Sequence, residues 1–152
     1  MEREVLFRGK RTDNNEWVYG NLLTMDGSVS YGERNVFSNL HIIKKDKLNI
    51  SHFCSGGGVK IYNNAIQIKK ETSGQYTGLK DKNGTKIFEG DICEHIDKDN
   101  YPRPFAVEWI EDYACFAFVD KGDYSRNYYF QKNHMENIQV VGNIYNNKPL
   151  LK

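Results

Sequence analysis

Residues 74–92 read GQYTGLKDKNGTKIFEGDI, a run holding four glycines, an Asn-Gly pair and a Gly-Asp pair. Asn83-Gly84 sits between two apolar runs, and both residue types accept the positive φ angles of a type I′ turn. The stretch therefore predicts a β-hairpin with Asn83-Gly84 at its tip. Asp81 is placed to accept hydrogen bonds from the turn backbone, as Asx residues do. Gly90-Asp91 predicts a second sharp turn before the run ICEHI. Rival readings fail on spacing. A phosphate-binding P-loop ends in Gly-Lys-Ser/Thr ahead of a helix, which neither this stretch nor CSGGGVK at 54–60 supplies. A calcium loop needs a carboxylate at its twelfth position, and counting from Asp81 that position is Ile92.

Working outward, residues 75–145 hold six short runs rich in strand formers: QYTGL, TKIFEG, DICEHI, PFAVEWI, ACFAFV and IQVVGNIY. Their spacing predicts a mainly β protein with a small SH3-like barrel over residues 73–152. Residues 1–72 form a second β-rich lobe, or the early part of one continuous domain. There, residues 4–25 predict a hairpin with Asp13, Asn14 and Asn15 at its tip. Gly56–Gly58 act as a soft connector. A little helix is expected within 40–55 and 122–138. The predicted core is Phe88, Ile92, Val107, Trp109, Phe116, Phe118, Val141 and Ile144, with Glu94 and Glu108 outward. EVLFRG and VVGNIY, near the chain ends, are expected to pair with each other, within one chain or between subunits.

Composition agrees with this. The 152 residues include 20 aromatics (10 Tyr, 8 Phe and 2 Trp), a density that favours strands. Net charge is +1, which argues against a strongly nucleic-acid-binding protein. The halves differ: residues 1–80 carry 12 Lys/Arg and 8 Asp/Glu (+4), residues 81–152 carry 9 and 12 (−3). Cys54, Cys93 and Cys115 are odd in number and lack CxxC spacing, which predicts free thiols in a reducing compartment. No run approaches the ~20 apolar residues of a membrane span, and no signal peptide is evident. The expectation is a protein of the cytoplasm, with no membrane partner.

Catalytic and metal chemistry find little purchase. His41, His52, His95 and His134 are scattered, and Cys93-x-His95 is the only close Cys/His pair, short of the clustered ligands of a zinc site. Cys54 beside SGGG reads as a loop residue, with no base placed to activate it. The expectation is no enzyme, no cofactor and no metal. Residues 123–132, DYSRNYYFQK, are different. They place Tyr124, Tyr128, Tyr129 and Phe130 around Arg126, the residue types that anchor protein interfaces. The same aromatics with Lys132, and with Arg8, Lys10 and Arg11, would also suit single-stranded nucleic acid. The −3 charge of residues 81–152 disfavours phosphate, so a protein interface through residues 124–130 is the preferred expectation.

Four segments carry a family likeness: FRGKRTDNNEWVYG (7–20), GQYTGLKDKNGTKIFEGDI (74–92), FAVEWIEDYACFAF (105–118) and VVGNIYNN (140–147). In this order they resemble the YopX family, small proteins of bacteriophages and of prophages in mostly low-GC Gram-positive bacteria. The resemblance spans nearly the whole chain and is carried least by residues 26–70. It implies a phage-encoded protein of the bacterial host cytoplasm, self-associating, with a phage or host protein as a further partner. It supplies no catalytic residues.

Overall fold

The computed structural model describes residues 4–24, 29–31, 34–36, 40–43, 65–122, 127–129 and 132–151. The chain divides into two compact units, Leu6–Ser73 and Gly74–Lys152 joined by Met1–Val5. It is mainly β, and helix among the described residues is limited to short 3-10 turns. None of the described helices is long and apolar enough to cross a membrane. The Gly56–Gly58 connector lies outside the described residues.

In the first unit, β1 (Phe7–Lys10) and β2 (Trp17–Thr24) form the expected antiparallel hairpin, with Lys10 opposite Trp17 and Arg8 opposite Tyr19. Its tip turns through Asn15 at φ 62°, a left-handed conformation that Asn tolerates. β3 (Val29–Tyr31) and β4 (Arg34–Val36) pair with each other. β5 (Leu40–Ile43) joins β2 and β6 (Ala65–Gln67), so the strand order is β6-β5-β2-β1. Strand alternation sorts the faces. Val18 and Ile68 form the apolar side with Phe7, Leu22 and Ile66. Gly9 is needed here, because a Cβ would lie 2.3 Å from Ile68 Cδ1. A single bridge, Arg11 to Ile68, draws the two ends of this sheet together. Thr72 locks them: its hydroxyl donates to Lys69 O at 2.7 Å and accepts Lys10 N at 2.8 Å.

In the second unit, β7 (Gly74–Lys80) and β8 (Lys86–Phe88) make the hairpin predicted from residues 74–92. The turn type differs from the expectation. Gly84 N donates to Asp81 O at 2.9 Å, Gly84 has φ +82°, and Asn83 does not take a positive φ. This is a type I turn closed by a left-handed glycine, the three-residue hairpin loop, and type I′ is excluded. Only one residue, Gly84, therefore has to be left-handed.

β9 (Asp91–His95), β10 (Phe105–Ile110), β11 (Cys115–Val119), β12 (Asn127–Tyr129) and β13 (Ile138–Asn143) form an antiparallel sheet in the order β12-β11-β10-β9-β13. Among the described residues it stays open, so the SH3-like barrel expected from strand spacing does not close. The reason is visible on β13. Its outer edge is occupied by the β7–β8 loop: Lys82 N donates to Ile138 O at 2.9 Å, and Val140 N donates to Asp81 Oδ2 at 3.0 Å. The segment VVGNIY is thus paired with β9 and capped by a loop, and EVLFRG contributes β1 to the β2 pairing, instead of the two pairing together.

The core of this unit is Ile87, Cys93, Phe105, Val107, Phe118, Met135 and Ile138. Of the predicted core, Phe88, Ile92, Val107, Phe116 and Phe118 are buried. Trp109 is not; it is 43% exposed. The register is intact, because Trp109 shares a face with buried Phe105 and Val107 and pairs with Phe116. Here β10 has run past the end of the core toward its own turn. Val141 is half-buried because it is the extra residue of a β-bulge between Val140 and Gly142. Ile144 is half-buried in the following turn, and Glu94 and Glu108 are half-exposed.

Candidate interaction surface

Of the residues expected at an aromatic interface, Tyr124, Arg126 and Phe130 lie outside the described residues, as do the side chains of Tyr129 and Lys132. Tyr128 is described, and it turns inward. Its ring meets Phe105 and Tyr101 edge-on, each at 5.2 Å between centroids, and it sits opposite Phe118 across β11–β12. Such tilted contacts are favourable and rigid. Tyr128 belongs to the core wall, which corrects its assignment to a free surface. Tyr101 in turn stacks at 4.3 Å on His95, whose Nδ1 accepts Asp97 N at 3.0 Å. Asp97 also takes Asn100 Nδ2 at 2.8 Å and Asn100 N at 3.2 Å, which lowers its pKa below the usual carboxylate range.

Arg8, Lys10 and Arg11 occupy the start of the first unit. Strand register puts Arg8 and Lys10 on one face with Trp17 and Tyr19. The Arg8 guanidinium lies 4.8 Å from the Trp17 ring centroid and Lys10 Nζ 5.5 Å from it. These are cation–π distances. Arg8 is buried, whereas Lys10 and Trp17 are half-buried and Tyr19 is 48% exposed. Arg11 points elsewhere: its Nε donates to Asp13 Oδ1 at 2.8 Å across the exposed turn. That hydrogen bond raises the Arg11 pKa and lowers that of Asp13. Two of the three cations thus share one aromatic face, and the third is held by a carboxylate.

The most exposed aromatic surface among the described residues is one the sequence reading missed. It is the tip of the β10–β11 hairpin. Tyr113 is 66% exposed and Trp109 43%, with Trp109 held edge-on against Phe116 at 5.1 Å. A 3-10 turn, Glu111–Tyr113, ends at Ala114 in the left-handed conformation, φ 48° and ψ 43°, with Ala114 N donating to Glu111 O at 3.1 Å. Left-handed alanine costs about 1–2 kcal/mol. The charge here has one sign. Between Arg103 and Lys121 the chain has no lysine or arginine, but has Glu108, Glu111, Asp112 and Asp120. Glu108 is bridged by Lys121, and buried Asp120 accepts Gly122 N at 2.8 Å. Glu111 and Asp112 remain exposed beside Tyr113. The signal available in the sequence was WIEDYA itself, an aromatic–acidic turn without a basic residue.

No group of three or more His, Cys, Asp or Glu side chains is positioned to hold a metal among the described residues. Cys93 is buried and Cys115 half-buried, both as free thiols.

With these surfaces in view, the relatives can be placed. A family model described as YopX protein matches residues 6–152. The chain belongs to the YopX family. The match takes in both hairpins, β7–β8 and β10–β11, and the closing strand β13. Among solved structures, the YopX-family chain is similar to "Crystal structure of protein EF1440 from Enterococcus faecalis", with TM-score 0.52 and 22% identity. That likeness covers 99% of this chain and 100% of the other. At this identity it speaks for the fold. No curated protein matches the chain in sequence.

Proposed function

We propose that this YopX-family protein is a non-enzymatic, oligomeric interaction module encoded by a phage or prophage and working in the cytoplasm of its bacterial host. The observation that carries the reading is the β10–β11 tip, where Trp109 and Tyr113 are presented to solvent on a short, conformationally fixed turn. Large aromatics with few rotatable bonds anchor protein interfaces at low entropic cost. The tip's uniformly acidic charge repels phosphate, which supports a protein partner over nucleic acid or an anionic lipid surface. The site expected around Tyr128 moves accordingly to Trp109 and Tyr113.

The test is static light scattering at micromolar concentration. The reading expects a mass that is a multiple of the 17.7 kDa chain. A monomer across that range would overturn it. One observation favours a second reading, a weak nucleic-acid-binding accessory protein: Arg8 and Lys10 share a face with Trp17 and with exposed Tyr19. A monomer that captures single-stranded oligonucleotide in low salt and releases it at moderate salt would move the assignment there.

A further inference from the structure

Resting on the oligomeric reading above, we infer that the acidic aromatic tip of β10–β11 docks on the basic aromatic face of β1–β2 in a second copy of the chain. Both halves of the contact have been described. The tip offers Trp109 and Tyr113 with Glu111 and Asp112 beside them. The face offers Trp17 and Tyr19 with Lys10 and Arg8. Each side has two aromatics and two charges, and the charges are opposite.

Charge also says what the tip does not do. Two tips meeting about a two-fold axis would bring Glu111 and Asp112 of both copies together, and like charges at an interface cost several kcal/mol by general experience. The basic face meeting itself has the same fault. A self-complementary contact through either surface is therefore disfavoured, and tip against face is the pairing that cancels charge. Such a contact is head-to-tail: every copy gives one tip and receives another, so it closes into a ring or extends as a filament. Each copy takes part in two contacts, which compensates for the small area of one hairpin tip.

The experiment is a charge swap read by sedimentation equilibrium and light scattering. Asp112→Lys, Glu111→Lys and Lys10→Glu, made singly, are each expected to weaken association at least about tenfold, as buried-charge mismatches do. Chains carrying Lys10→Glu with Asp112→Lys, or Lys10→Glu with Glu111→Lys, place opposite charges across the contact again, and at least one of them is expected to regain most of the lost affinity. Raising salt should weaken the wild-type assembly and the rescued one alike. Recovery in a double variant would itself show that the single variants fold, and Lys10→Gln, which removes charge without reversing it, should weaken association less than Lys10→Glu. An oligomer whose size ignores all single swaps would overturn this docking while leaving the oligomeric reading standing. Loss in the single variants without recovery in either double variant would overturn it as well. A wild-type monomer would overturn both.

Discussion

Two hairpins of the second unit use similar turn lengths for opposite ends. The β7–β8 loop turns all its polar groups into the protein. The Asp81 carboxylate is buried and accepts three backbone N–H groups: Asn83 at 2.9 Å and Thr85 at 2.8 Å within its own loop, and Val140 at 3.0 Å on β13. Together with the bond from Lys82 N to Ile138 O, this fastens the hairpin to the far edge of the sheet. The β10–β11 tip does none of this. Its turn is closed by one backbone bond, and its largest side chains face solvent. A loop that ties strands together is free of any need to be seen from outside; a loop that presents aromatics is explained by what it meets.

The contrast is sharpest along β10–β11 itself, between Phe118 and Trp109, which lie on one face of the same hairpin. Phe118 is 3% exposed and packs on Phe105 and Val107. Truncating it to Ala should cost about 3–5 kcal/mol, the usual loss for a buried aromatic. Chemical denaturation decides it, and a loss under about 1 kcal/mol would place the core elsewhere.

Next in size is Asp81. Replacing it with Ala leaves three N–H groups without their acceptor, two in the turn and one on a strand edge. Hydrogen bonds to a charged group contribute about 1.5–3 kcal/mol singly and do not add in full, so about 3 kcal/mol is expected. Asp81→Asn keeps one carbonyl acceptor and should lose less. Amide exchange at Val140 reports the edge directly: it should accelerate in Asp81→Ala, and an unchanged rate would mean that the carboxylate does not hold β13.

Gly84 follows. A Cβ at this position would meet nothing within 4 Å, so the whole penalty of substitution comes from φ +82°. Gly84→Val should cost about 2 kcal/mol, because a β-branched residue resists the left-handed region, and Gly84→Asn markedly less. Equal losses for Val and Asn would show that space, not backbone conformation, is what the glycine supplies.

These effects also mark how far the residues could be read. Strand existence was legible because aromatic and β-branched runs alternate with Asn, Asp and Gly turns. The Asp81–Gly84 hairpin was legible because its constraints are local, although the choice between type I and type I′ depends on φ at Asn83, which Asn permits either way. The open sheet was not legible. Whether β13 meets β12 or the β7–β8 loop is decided by a carboxylate and a strand 59 positions apart. Trp109 was misread for a related reason: alternation gives its face correctly, but not where along the strand the core ends. The β-bulge at Val141 likewise breaks an alternation that sequence alone would continue. Tyr128 looked like an anchor by composition and is in fact a wall of the core, because Tyr101 and Phe105 reach it from another loop and another strand.

The smallest expected effect is the most informative. Trp109→Ala removes a side chain as large as any in the protein, yet it should cost only about 1 kcal/mol of stability, the scale of one edge-on aromatic pair with Phe116. If the tip exists for assembly, the same variant should do much more to association than to folding. The pairing of measurements is what separates the two roles: a melt for stability and light scattering for mass, on one sample. A stability loss near that of Phe118→Ala would make Trp109 a core residue after all. A loss of about 1 kcal/mol with the assembly untouched would leave the tip without a role in self-association, and the comparison between the two hairpins would then rest on solvent exposure alone. The expected result is neither: a protein that melts close to wild type and no longer assembles.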